Sequence, residues 1–336
     1  MYTLIAIAAL GVLCLIAEIF NGRKAIVPMT IVGLLAILGL TATGFNDSAD
    51  TFNNMIVFDN FATTFSCLFI VLTIFLVALS PNFHEKQITK ISDFISIKLF
   101  LLSGGVAMVA FGNLSMFFLG IEILSIALYV LAASDRLSIK SNEAGMKYFL
   151  MGAFASGFIL FGIALIYGAT GSFDMATIQE AGSSADVEDW FYIGAILLSI
   201  GMLFKVAAAP FHFWAPDVYE GSPALTTALM STLTKVIAMA AFFKLVGAMN
   251  VNLPYSSQTA IIVISILSMT IGNIMALKQT NVKRMLAFSG ISHAGFMLMT
   301  LLAVTTSAGV LLYYASAYAL SGIAAFAVIL YVTKDK

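Results

Sequence analysis

Charge is what this 336-residue chain has least of. Only 10% of its residues are Asp, Glu, Lys or Arg, against roughly 25% in a soluble domain. That scarcity excludes an ordinary cytosolic enzyme and a disordered chain. The formal net charge of −1 offers no basic field to a polyanion, so nucleic acid is not an expected partner. Cysteine is nearly absent: Cys14 and Cys67 lie inside apolar runs, and no C-x-x-C occurs. A disulfide framework, a zinc site and a thiolate-held iron–sulfur cluster are thereby excluded. Three histidines, His84, His212 and His293, make a poor pair of haem ligands. No glycine-rich strand-to-helix fingerprint for a dinucleotide is found. No cofactor is expected on this chain.

What is there is apolar. Hydrophobic residues make up 61% and mean hydropathy is +1.02, which leaves a polytopic membrane protein. A helix needs about 20 predominantly apolar residues to cross a hydrocarbon core of roughly 30 Å. Eleven such runs lie near 2–21, 25–44, 58–80, 94–111, 113–133, 144–169, 190–209, 223–249, 258–277, 284–304 and 307–333. None alternates as a barrel strand would. The fold class expected is all-α. Met1, Tyr2 and Thr3 carry no basic side chain, so the first run is read as a span and not as a cleaved signal peptide.

The charges sort by side. On one side the connections hold Arg23, Lys24, Lys86, Lys90, Arg136, Lys140, Lys147, Lys278, Lys283, Arg284, Lys334 and Lys336, with Lys98 just inside span four. The other side's connections hold no Lys or Arg; they carry Asp47, Asp50, Asp59, Asp174, Glu180, Asp186, Glu188 and Asp189. Positive residues mark the cytoplasmic side. The N-terminus is therefore expected outside and the C-terminus of this chain in the cytoplasm.

Three charges remain deep. By helix rise, Glu122 lies roughly 13 Å from the outer end of span five. Lys205 and Lys235 fall at similar mid-membrane depth in spans seven and eight. Unpaired, the three cost on the order of 8–10 kcal/mol on insertion scales. A buried ion pair that only fixes packing is the simpler reading, but it leaves Lys235 without an acidic partner at its depth. Glu18 and Lys244 sit near helix ends, where they can snorkel. Span seven has a second peculiarity: Pro210 follows Lys205 and removes a helix donor. A break within 205–216, followed by a short helical piece, is expected. Broken helices at membrane depth mark ion pathways. Glu122 and Lys205 are expected within ion-pair or one-water distance.

Spans six and eleven share Tyr148, Ser156, Gly157 and Phe161 against Tyr313, Ser321, Gly322 and Phe326, each 165 residues on. Spans five and ten match more weakly, Gly120-Ile121 against Gly290-Ile291, 170 residues on. These pairs run in opposite directions, the pattern of an inverted repeat. Residues 1–92 are then three N-terminal helices, 93–250 a first five-helix unit (helices 4–8), and 251–336 an incomplete second unit (helices 9–11).

Lys205 together with Pro210-Phe211-His212-Phe213-Trp214-Ala215-Pro216-Asp217-Val218-Tyr219-Glu220-Gly221-Ser222-Pro223 resembles the signature of the subunit N family of proton-translocating NADH:quinone oxidoreductase, respiratory complex I. Lys283-Arg284-Met285-Leu286-Ala287-Phe288-Ser289-Gly290-Ile291-Ser292-His293-Ala294-Gly295 resembles the ninth-to-tenth helix junction of the same family. The similarity runs along the whole chain. It implies a proton relay through Glu122, Lys205 and Lys235, to which we add His293 in span ten. It also implies fourteen helices with a further channel lysine in a broken twelfth, so the chain is read as a fragment lacking helices 12–14. NADH, flavin, iron–sulfur clusters and quinone then belong to partner subunits. The remaining partners are the other membrane-arm subunits and the lipid of a bacterial inner membrane. A subunit of a multi-subunit cation/proton antiporter or a membrane-bound hydrogenase is the alternative within the same architecture; a redox subunit and a passive scaffold are the others. The physics of such a relay is coupled titration. Drawing Glu122 from ~4 to ~8 Å away from Lys205 at an effective dielectric of ~20 loses about 2 kcal/mol, which favours passing a proton towards Lys235.

Overall fold

Among the described residues of the computed structural model, eleven helices are long and apolar enough to cross a membrane. The structure describes residues 1–20, 22–46, 49–51, 54–80, 90–182, 188–249 and 255–333. Among the charges used above to assign sides, Asp47, Lys86, Asp186, Lys334 and Lys336 lie outside those residues, as does His84. The first six spans are α1 (Tyr2–Ile19), α2 (Arg23–Ala42), α3 (Asn60–Ala78), α4 (Ile91–Val109), α5 (Leu114–Ala132) and α6 (Ile139–Thr170). A short α7 (Met175–Gly182) precedes span seven, α8 (Asp189–Val206), and a second short helix, α9 (Trp214–Gly221), follows it. Spans eight to eleven are α10 (Ala224–Met249), α11 (Tyr255–Leu277), α12 (Val282–Leu298, continued by a tighter turn Met299–Ala303) and α13 (Ala308–Val332). One small hairpin, β1 (Ala49–Thr51) with β2 (Ile56–Phe58), lies between α2 and α3.

Helix starts are set by short polar side chains that accept the otherwise orphaned first amides. Asp59 accepts from Ala62 N at 2.6 Å, Asn113 from Met116 N at 2.8 Å and Asn281 from Lys283 N at 2.9 Å. Capped by Ser138, α6 begins at Ile139, five residues before the apolar run expected at 144. The extra turn is Ile139-Lys140-Ser141-Asn142-Glu143, polar enough to project beyond the hydrocarbon, so hydropathy alone could not assign it to a span. Gly171 ends the same helix in the left-handed conformation, φ 69°, which a residue without Cβ adopts freely.

Polar contacts between helix ends separate into two faces. On one, Thr41 bonds Thr3, Lys244 pairs with Asp59, and Asn113 bridges to Asp174. On the other, Glu18 pairs with Arg23 and Lys90, and Arg284 with Asp217 and Glu220. No ion pair among the described residues joins the two. This is the alternation that eleven successive crossings require. Glu18 and Lys244 were expected to snorkel; both are paired instead. The Lys244 ammonium lies 3.1 Å from Asp59 and donates to Val109 O at 2.7 Å, so it ties α3, α4 and α10 together. Asp59→Ala would remove the α3 cap and strand a side chain only 12% exposed, at a cost of about 3–5 kcal/mol. Lys244→Met leaves the more exposed partner in water and should cost about 1 kcal/mol. Thermal unfolding of both variants in detergent should show the larger loss for Asp59→Ala.

Two helix pairs are packed in the same way. A Cβ on Gly104 of α4 would meet Leu124 N at 2.8 Å and Gly120 O at 2.9 Å on α5. A Cβ on Gly272 of α11 would meet Ser292 N at 2.7 Å and Phe288 O at 2.8 Å on α12. The three positions correspond at a spacing of 168 residues, two fewer than the Gly-Ile match in the sequence. At this register Gly290, not Ser292, stands opposite Glu122. Tyr148 and Tyr313 sit in unlike surroundings: the first is buried against Trp214, the second 77% exposed.

Candidate functional site

The helix break falls where the sequence places it. α8 stops at Val206, one residue after Lys205, and Ala207 turns left-handed at φ 59°. Ala207 N donates to Phe204 O and Ala208 N to Leu203 O, both at 3.0 Å. Side chains also reach the broken ladder, as a membrane interior favours. Trp214 Nε1 donates to Phe204 O at 3.0 Å, and Ala209 N donates to Ser268 Oγ of α11 at 2.9 Å. Trp214 stacks on Tyr148 with ring centroids 4.6 Å apart, which anchors α9 to α6.

Lys205 therefore stands at a helix end inside the protein. Its Nζ donates to Ser125 Oγ of α5 at 2.7 Å and lies 3.5 Å from Ser156 Oγ of α6. Glu122 lies one turn before Ser125, and its Oε1 is buried without a hydrogen-bond partner among the described residues. Among the described residues Glu122 and Lys205 make no direct ion pair, and the ammonium is held by the two serines. Ser125 presents a hydroxyl at the level of the ammonium, one turn nearer than the carboxylate, and it holds the lysine there.

Lys235 sits on a different irregularity. Met230–Thr234 of α10 forms a π-helical turn directly before it, a widening often found at functional positions. Carbonyls of this turn are claimed by tyrosines: Tyr318 Oη donates to Ser231 O at 2.8 Å and Tyr219 Oη to Met230 O at 3.2 Å. Lys235 Nζ donates to Gly290 O at 2.6 Å. A Cβ at Gly290 would lie 2.8 Å from that ammonium and 3.0 Å from Tyr318 Oη, so the close approach needs glycine. His293, one turn further along α12, meets Tyr314 Oη through Nδ1 at 2.8 Å, and its ring lies 4.8 Å from that of Tyr318. The site residues thus form two clusters: Glu122–Ser125–Ser156–Lys205, and Lys235–Gly290–Tyr318–His293–Tyr314.

Sequence reading missed the serines and tyrosines, which are too common in membrane helices to stand out, and misplaced Lys98. Set among the interfacial charges, Lys98 is fully buried. It donates to Ser80 Oγ at 2.9 Å and lies over the Phe94 ring at 4.1 Å. Its position seven residues inside α4 was the available signal.

The two signature stretches meet at one face. Arg284 Nη1 reaches Asp217 at 2.6 Å and Glu220 at 3.1 Å, and Lys283 Nζ donates to Ser222 O at 2.8 Å. Arg284→Ala should free α9 from α12. Because the pairs are about a third exposed, the expected cost is about 1 kcal/mol, read as faster proteolysis of the 211–222 segment in detergent. Arg284→Lys, without the planar fork, should recover only part of it.

Eleven spans, a break beside one buried lysine and a widened turn beside another define a multi-pass membrane protein of the antiporter-like class. A family model described as "NADH:quinone oxidoreductase/Mrp antiporter, TM" matches residues 112–336. NADH-quinone oxidoreductase subunit N of Flavobacterium johnsoniae is 68% identical over all of this chain and 74% of that protein. The subunit N of Cytophaga hutchinsonii is 43% identical over all of this chain and 73% of its own length. Among solved structures, respiratory complex I from Thermus thermophilus aligns with a TM-score of 0.83 at 30% identity, over 97% of this chain and 70% of that one. An archaeal membrane-bound sulfane sulfur reductase aligns at 0.81 and 26%, over 98% and 69%. The chain belongs to the NADH-quinone oxidoreductase subunit N family.

Proposed function

We propose that this chain carries protons across a bacterial inner membrane through Glu122, Lys205 and Lys235, with His293 extending the route. Partner subunits, holding NADH, flavin, iron–sulfur clusters and quinone, do the redox work and assemble with it in the membrane arm. The observation that carries the reading is the setting of the two amines. Lys205 rests on two hydroxyls and Lys235 on a carbonyl, each on a helix whose regular ladder is interrupted. Neutral acceptors hold an amine without locking its charge, so a small movement of Glu122 can decide whether the proton stays. The clustering of Lys, Arg and carboxylates from α1, α6, α9 and α12 on one face supports a cytoplasmic assignment for that face and an N-terminus outside. The matching Gly104 and Gly272 helix pairs favour two repeat units, 93–250 and 251–336, behind the helices of 1–92. The test is proton uptake by inverted membrane vesicles driven by NADH. Uptake that persists without this subunit would overturn the reading. A cation/proton antiporter subunit is the second reading, favoured by a family model that spans both classes. A purified native assembly that exchanges sodium for protons and does not oxidise NADH would establish it.

A further inference from the structure

A cleft of about 430 Å³ runs between α8, α10, α11 and the end of α12, in the half of the molecule away from the basic face. Leu203, Phe211, Phe242 and Ile264 wall its inner part, and Tyr192, Met249 and Ser257 stand at its outer end. Between those ends the one polar lining side chain is Ser199, whose hydroxyl is turned back on Ala195 O at 2.7 Å. A polar occupant would leave its own groups unsatisfied there. A hydrocarbon chain would gain contact with side chains of four helices.

The cleft is as long as one leaflet is deep. From Tyr192 to Leu203 α8 rises roughly 16 Å, against roughly 30 Å for the whole hydrocarbon core. It is open from the side: Tyr192 is 40% and Ile196 57% exposed, so a chain enters from the bilayer without crossing protein. Trp190, exposed at the start of α8, marks the level at which indoles favour the membrane interface.

The mouth carries negative charge. Asp189 lies in the first turn of α8. Steps of three and four residues carry it along one helix face to Tyr192, Ile196, Ser199 and Leu203, all of which line the cleft. Glu188 precedes it. Both carboxylates are exposed, and no ion pair among the described residues engages either. Lys244, towards the same end of α10, is turned to Asp59 of α3. An anionic headgroup would be repelled at this mouth. A primary ammonium would pair with the carboxylates and donate hydrogen bonds to them, which a quaternary one cannot do.

We propose that this cleft is a binding site for a phospholipid with a primary-amine headgroup. One acyl chain fills it from Tyr192 to Phe211, and the ammonium lies against Asp189 and Glu188. The site is independent of the proton relay and differs from ordinary boundary lipid in two ways. Its chain is enclosed by four helices where a lipid on the outer side of α6 touches one, and its headgroup is selected by charge.

The test uses the complete subunit in the assembled complex, reconstituted in phosphatidylcholine vesicles. These contain a phosphatidylethanolamine whose acyl chain carries a photoactivatable diazirine near its end. After irradiation, peptide mass spectrometry should find label on residues 199–211 and 260–264 well above that on residues 154–164 of α6. Unlabelled phosphatidylethanolamine should compete it away; phosphatidylglycerol and a long-chain quinone should not. Label no stronger in the cleft than on α6 means boundary lipid only and overturns the proposal. So does an unlabelled cleft, which a neighbouring chain then covers, or competition by the quinone alone. Ala260→Phe should fill the cleft and abolish its label while that on α6 persists. Asp189→Lys changes only an exposed charge, so folding is not at risk. It should lower labelling by phosphatidylethanolamine roughly fivefold, the usual weight of a charge at a membrane surface, and raise labelling by a matching phosphatidylglycerol probe. An unchanged preference in Asp189→Lys overturns the headgroup assignment and the proposal with it.

Discussion

Lys205→Arg should abolish most proton transport while the complex assembles normally. Arginine keeps the positive charge and can still donate to Ser125 and Ser156, so packing and Coulomb attraction to Glu122 survive. What it cannot do is release its proton, because the guanidinium stays charged at any accessible pH. A relay residue must alternate between charged and neutral, and a group fixed in one state stops the alternation. NADH-driven proton uptake should therefore fall roughly tenfold or more, and quinone reduction should slow with it because the two are coupled. Lys205→Ala should give the same loss for a different reason. Alanine suits a membrane helix, and Glu122, without its cation, is then expected to take up a proton and not remain ionised in a low-dielectric interior. The measurements are proton uptake and quinone reduction in vesicles carrying each variant, with subunit content checked by blot. Full uptake in Lys205→Arg would return the lysine to a packing role.

The serine cradle changes what would drive the proposed step. If Lys205 were locked to Glu122 in a direct ion pair, releasing its proton would first require breaking a strong, low-dielectric contact. In the proposed relay, with Ser125 at 2.7 Å and Glu122 one turn before it on α5, the carboxylate would act on the lysine through space. A shift of a few Å along or across α5, from ~6 to ~9 Å, is then worth about 1 kcal/mol at an effective dielectric of ~20. That biases the equilibrium about fivefold and is small enough to be reversed. The step has no direction of its own; a conformational or electrostatic input must favour one state.

The spans were legible because lipid imposes a length and a polarity that no other residue pattern meets. The break was legible because Pro210 cannot donate a helix bond and the preceding lysine made the interruption costly. The π-helical turn at Met230–Thr234 had no such mark: Met, Ser, Thr and Leu are ordinary helix residues. The turn is widened where Tyr219 and Tyr318 hold its carbonyls from other helices. Lys98 shows the converse limit. Helix rise gives depth along the membrane normal but not whether a side chain faces lipid, water or protein, and Lys98 faces protein. The spacing of the matching helix pairs, 168 residues against the 170 of the Gly-Ile match, differs for a related reason. A Gly-Ile pair recurs easily in apolar sequence, whereas the helix-to-helix approach at Gly104 and Gly272 is a geometric requirement.

That approach leads to the other large effect, at Gly104. The backbone of α5 from Gly120 to Leu124 is pressed against α4 so closely that a Cβ on Gly104 would meet Leu124 N at 2.8 Å and Gly120 O at 2.9 Å. Gly120 reciprocates, with Met108 N at 2.9 Å and Gly104 O at 3.0 Å from its own virtual Cβ. Backbone atoms cannot rotate away as a flexible side chain can. In a membrane, where helices gain little from the hydrophobic effect, this close packing is itself the adhesive. Gly104→Leu should therefore force the pair apart, costing about 3 kcal/mol or more, and the subunit should be lost from membranes. Gly104→Ala should assemble poorly and run with reduced proton uptake, because the turn displaced is the one that carries Glu122. Gly157→Ala on α6 meets nothing within 4 Å and should be indistinguishable from the parent, or slightly more stable since alanine favours the helix. Blots of subunit content with thermal unfolding of the extracted complex separate these outcomes. Normal assembly of Gly104→Leu would mean that α4 and α5 do not pack through their backbones, and the position of Glu122 would need another explanation.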